Sequence, residues 1–90
     1  MQELKIKDDA FLILRAGLNL QRKLNDIKTE KYFQRLIKFE EKYNMKSDTF
    51  IRDFESGKLG DDADWFDWLF VWKAWNKSVE KSQIIESLSL

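Results

Sequence analysis

The chain has no cysteine, no histidine and no proline, and three glycines in 90 residues. Without cysteine there is no disulfide and no thiolate metal site. Without histidine, the commonest general base near neutral pH and the commonest metal ligand are missing. Without proline, long helices are permitted almost everywhere, and Gly17, Gly57 and Gly60 are the few points of backbone freedom. No apolar run approaches the ~20 residues of a membrane span. The short run 10–14 follows Asp8 and Asp9, the wrong charge for the start of a signal peptide. The expected location is the cytoplasm, with no membrane contact.

What is present argues for a folded domain. The chain is 43% hydrophobic and 14% aromatic with zero formal net charge, unlike disordered chains, which are poor in aromatics and strongly charged. The length suits one domain over 1–90 with a thin core. The zero charge hides an asymmetry. Residues 1–46 carry eleven Lys/Arg against seven Asp/Glu, and residues 47–90 carry five against nine. Opposite halves of this kind attract each other within a fold or in a dimer.

The hydrophobic spacing predicts an all-α fold, a small bundle of three to four helices. Residues 1–7 alternate at Leu4 and Ile6, a pattern consistent with a short extended segment or a frayed terminus. A helix over 9–26 carries Phe11, Leu14 and Leu18 on one stripe and Ala16, Leu20, Leu24 and Ile27 on another. Gly17 inside it costs about 1 kcal/mol relative to alanine and suits a close crossing by another helix. Asn25, Asp26 and Thr29 are turn or capping types, so the chain either bends there or runs on into the next helix, 29–43. That segment repeats Tyr32, Leu36, Phe39 and Tyr43 and stops at Asn44. Ser47 is expected to cap a short helix over 48–56. After the Gly57–Gly60 turn, a last helix spans 61–86, opened by Asp61 and Asp62, whose charge complements the helix dipole.

The last helix is the most informative stretch. Trp65, Trp68, Trp72, Trp75 and Val79 step 3, 4, 3, 4, and Phe66, Leu69, Phe70 and Val71 lie on other sides. A helix apolar nearly all round must be covered nearly all round, and so short a bundle covers two sides at most. Trp68, Trp72 and Trp75 read as core. Phe66 and Phe70 read as an interface, since aromatics dominate binding hot spots. Were the Trp72 ring buried in the monomer, its removal would cost roughly 3–5 kcal/mol.

Asp61, Asp62, Asp64 and Asp67 cluster beside these rings. As a calcium loop the stretch from Asp53 to Asp64 fails, because Lys58 stands where glycine is required and Asp64 where glutamate is. No cofactor or metal is expected. Carboxylates among aromatics also suit mimicry of a nucleic-acid backbone in the basic groove of a nuclease. Enzyme templates fail: there is no phosphate loop, no nucleophile triad and no evident cleft to tune two carboxylates. No catalytic residue is assigned. The match Asn76-Lys77-Ser78 to a glycosylation sequon falls on a helix and is read as chance.

The segment from Phe39 to Asp62, Phe-Glu-Glu-Lys-Tyr-Asn-Met-Lys-Ser-Asp-Thr-Phe-Ile-Arg-Asp-Phe-Glu-Ser-Gly-Lys-Leu-Gly-Asp-Asp, running into Trp65 and Trp68, resembles a group of small prokaryotic proteins that look like antitoxins. These are encoded beside small toxins of RelE-like or related nuclease type. The likeness covers about residues 36–75 and departs at Asn44, where the group usually has glycine. It implies a chain that binds and blocks a small basic toxin, with contacts on Phe50, Phe54, Trp65, Trp68 and Trp72 and with Asp61, Asp62 and Asp64 facing basic residues. No ribbon-helix-helix or helix-turn-helix motif is recognisable. The alternative is a self-associating helical protein, a homodimer with its tryptophan stripe at a two-fold interface. A weak nucleic-acid binder using Arg15, Arg22, Lys23, Lys28, Lys31 and Arg35 ranks last, because Asp26 and Glu30 are interspersed with them and Glu40 follows.

Overall fold

The computed structural model describes the backbone of residues 2–88 and the side chains of residues 8–88. It contains three helices: α1 (Gln2–Tyr43), α2 (Ser47–Glu55) and α3 (Ala63–Ser87). No strand occurs among the described residues. The last two residues, and Met1, lie outside them.

α1 is one uninterrupted helix of 42 residues. It begins at Gln2, where an extended or frayed 1–7 was expected, and of the two courses open at 26–29 it takes the continuous one. The turn-type residues there are satisfied inside the helix. Asn25 is buried and its Nδ2 donates to the Ser78 carbonyl of α3 at 2.8 Å, while the Thr29 hydroxyl donates to the Asn25 carbonyl at 2.8 Å. A polar side chain that finds a partner across a helix pair fixes register and does not break the helix.

α1 ends at Asn44, whose φ is +48°. Asparagine tolerates this left-handed conformation better than any other residue except glycine. The turn brings α2 back across the end of α1. α2 spans Ser47–Glu55 and buries Phe50 and Ile51. Ser47 does not cap it. Lys46 occupies the cap position without a side-chain bond, and Ser47 is the buried first residue of the helix. Gly57 closes α2 with φ +75°, a conformation that favours glycine. α3 then opens at Asp62, whose carboxylate accepts the Asp64 N–H at 2.9 Å, a conventional N-cap.

α3 lies antiparallel along α1. Tyr43 and Lys42 meet Asp64 at one end of the pair, and Arg22 meets Glu86 at 3.5 Å at the other. The stripe of α1 turned to α3 is Leu18, Arg22, Asn25, Thr29, Tyr32, Leu36, Phe39 and Tyr43, all buried or half-buried. The core sits at the α2 end. Leu36, Phe50, Ile51, Trp68 and Val71 form it, with Phe39, Tyr43, Trp65, Leu69 and Trp72 packed against it.

The molecule measures 67 × 21 × 18 Å. That length is α1 itself, since 42 residues rise about 63 Å at 1.5 Å each. α3 is 25 residues and stops level with Arg22. The first several turns of α1 therefore extend past it as a single helical arm. Every described residue from Asp8 to Gly17 in that arm is exposed.

Candidate partner-binding surface

The ten residues singled out for partner binding divide into three groups. Phe50 and Trp68 are fully buried, so no partner reaches them without opening the core. Trp68 stacks on Phe50 with ring centroids 4.0 Å apart and planes within 1°, and on Phe39 at 5.4 Å and 9°. Its Nε1 donates to the Ser47 hydroxyl at 3.0 Å. A buried indole N–H needs such an acceptor. Ser47 and its neighbour Glu40, whose carboxylate accepts the Ser47 N–H at 2.9 Å, are the residues sequence reasoning missed here. A buried serine 21 residues from a tryptophan leaves no local signal.

Phe54, Trp65 and Trp72 are half-buried. Trp65 meets Tyr43 at 4.6 Å and Phe50 at 5.6 Å, while Phe54 meets the exposed Phe66 edge-on at 5.7 Å. Each shows part of its ring to solvent. Trp72 does not have the full burial that its heptad position suggested; Trp68 and Val71 do. Trp75 is half-buried against Phe33 at 6.4 Å.

Phe66 and Phe70 form the exposed group. They lie one turn apart on α3 and are 52% and 63% exposed. Asp61, Asp62 and Asp67 are exposed around them, and among the described residues none of the three is in an ion pair. Asp62, the N-cap, and Asp67 flank Phe66, and the exposed Lys73 lies one turn beyond Phe70, so the aromatic pair has an acidic side toward the start of α3 that can meet lysine or arginine of a partner.

Asp64 has a different part. It takes the Lys42 ammonium at 2.7 Å and the Tyr43 hydroxyl, and so ties the end of α1 to the start of α3. These donors hold its carboxyl below the usual range, Lys42 first and Tyr43 next. The same contacts raise Lys42 and Tyr43, chiefly through the hydrogen bond to Asp64. All three shifts reflect the mutual hydrogen bonds of one ion-paired cluster. The trio is a clasp between helices. No group of three or more acidic side chains converges among the described residues.

The basic residues of α1 do not gather. Arg22 is drawn toward Glu86, and Arg15, Lys23, Lys28, Lys31 and Arg35 are distributed around the helix. α1 also exposes apolar side chains away from α3: Phe11, Leu12, Ile13, Leu14, Leu20, Leu24 and Ile27. Comparison with known families, with curated proteins and with solved structures finds no match for this chain.

Proposed function

We propose that the protein is a non-catalytic binding module that grips another protein through the start of α3. The observation that carries this reading is the pair Phe66 and Phe70, exposed one turn apart, with Asp61, Asp62 and Asp67 toward the start of α3 in no ion pair among the described residues. Isolated surface phenylalanines need no explanation, but a contiguous aromatic patch with a charged rim marks an interaction site. Phe54, half-buried and edge-on to Phe66 at 5.7 Å, widens the patch. Its charge calls for a basic partner.

The likeness of residues 36–75 to small prokaryotic antitoxins names the class of partner, a small basic toxin of nuclease type that this chain would cover and silence. Such a role requires no chemistry of the chain's own.

Co-expression with the product of the neighbouring reading frame tests the reading. The expected result is a toxic neighbour that co-purifies with the wild-type chain and is silenced by it. Phe70→Asp should abolish both effects while the melting temperature holds, because that ring supports nothing in the core. A harmless neighbour that does not co-purify would end the antitoxin reading.

A further inference from the structure

α1 carries a second hydrophobic seam that α3 cannot reach. Ala10, Ile13, Gly17, Leu20, Leu24 and Ile27 step 3, 4, 3, 4, 3 and all are exposed, Ile13 at 72%. At about 100° per residue this seam lies about 200° round the helix from the stripe packed on α3. It is a heptad pattern with Ala10, Gly17 and Leu24 at one position and Ile13, Leu20 and Ile27 at the other. Part of it, Leu20 to Ile27, runs alongside the α3-covered stretch on the far side, and the rest belongs to the projecting arm. Gly17 fits no need of the monomer. Its φ is not left-handed, and a Cβ there would meet nothing within 4 Å. A glycine in mid-helix with open space around it is a place for a second helix to come close.

We propose that the occupant of this seam is a second copy of the chain, its α1 laid antiparallel across the first. Charge complementarity selects both the partner and the direction. In the antiparallel register with the two-fold axis level with Arg15, Ala10 faces Leu20 of the second copy and Ile13 faces Gly17 of the second copy. Asp9 then meets Lys23 of the second copy, and symmetry repeats that contact. Beside the axis, Leu14 meets its own counterpart and so does Ala16, so the centre is apolar throughout. The parallel arrangement sets Lys23 against Lys28, like against like. The two copies of α3 lie on the outer faces, clear of the contact. Each α1 covers the arm of the other, and an isolated helix of that length is marginal in water. The seam is separate from the Phe66–Phe70 patch, so a dimer leaves that patch open for a different protein. The tryptophan stripe is a weaker candidate for the two-fold interface, because Trp68 at its centre is buried in the monomer and Trp65, Trp72 and Trp75 show only part of their rings.

Sedimentation velocity over a concentration series reads the proposal directly. The wild-type chain should pass from monomer to dimer as concentration rises. Leu20→Glu and Leu24→Glu should hold it monomeric at every concentration, with thermal melting in dilute solution unchanged because both side chains are exposed. Asp9→Lys and Lys23→Asp should each weaken the dimer about tenfold, and the two together should restore it to within about threefold, the signature of one direct contact. Phe70→Asp should leave the dimer intact, which separates failure of this inference from failure of the toxin-binding one. A wild-type chain monomeric at all concentrations overturns the proposal, and so does a dimer that survives Leu24→Glu. Charge reversals that do not rescue each other overturn the antiparallel register. Loss of toxin binding in Leu24→Glu, with the wild type monomeric, would give the seam to the toxin and overturn the second copy as its occupant.

Discussion

Trp68 and Ser47 set the core in a way that composition does not reveal. The indole is fully buried and its one donor has one acceptor, the Ser47 hydroxyl. Ser47→Ala should cost about 1–3 kcal/mol, because it strands the indole N–H and not because it removes a helix cap. Trp68→Phe should cost a similar amount through the hydroxyl it strands, and Trp68→Ala about 3–5 kcal/mol. The decisive measurement is the pair of variants combined. If the hydrogen bond is the cause, Ser47→Ala adds little once Trp68→Phe is in place; if Ser47 were a cap, the two costs would add in chemical denaturation. The clasp of Lys42, Tyr43 and Asp64 belongs to the same scale. Asp64 is held low in the folded state, so its contribution is complete above the carboxylate's ordinary value of 3.8 and fades as pH falls from there through the folded value. Lys42 and Tyr43 are held high, so theirs is complete below their ordinary values of 10.5 and 10.0 and fades as pH rises beyond them. Asp64→Asn should lower the melting temperature modestly at neutral pH, with the gap to wild type closing in acid. A gap that stays constant down to strongly acidic pH would show that the carboxylate's charge is not what holds the helices.

At the scale of the elements, the sequence shows more of the fold than of the surface. The heptad steps of α3 and the amphipathic α2 are readable because each has a stripe with one dominant spacing, and the expected 48–56 and 61–86 lie close to Ser47–Glu55 and Ala63–Ser87. α1 is harder, because two apolar seams on opposite faces blur one another and because Asn25 and Thr29 carry turn-type side chains. Only the tertiary bond from Asn25 to the Ser78 carbonyl explains why the helix runs on. The exposed rings were legible for a related reason. Phe66 and Phe70 depart from the tryptophan spacing, whereas Phe50 and Trp68, contacts that the resemblance implied, are core, as the spacing of Trp68 had indicated. The link between α1 and α2 offers a clean check. Asn44 has φ +48°, so Asn44→Gly should be neutral or slightly stabilising, whereas Asn44→Val should cost about 1–2 kcal/mol. Denaturant midpoints for the three chains in one buffer measure this, and equal midpoints for valine and glycine would place residue 44 outside the left-handed region.

The whole molecule is lopsided, and its dynamics should follow. All three helices meet only near the α2 end, where Leu36, Phe50, Ile51, Trp68 and Val71 pack. Toward the other end two helices remain, joined by Asn25 to Ser78, Lys81 to Gln21 and Arg22 to Glu86, and beyond Arg22 only α1 continues. Opening free energies track burial and local contact density, so protection against amide exchange should fall in that order. In dilute solution the amides of residues 32–43 and 65–75 should exchange last and together, as the global unit. Those of residues 18–30 should exchange sooner, and those of residues 8–17 within the shortest labelling time, since nothing in the monomer covers them. Raising the concentration should slow exchange across residues 8–27 and leave the slowest amides unchanged, because a second copy covers the arm without touching the core. Exchange that is uniform along α1 at every concentration would mean that the helix is held by its own propensity from end to end, and the arm would then have no need of a companion.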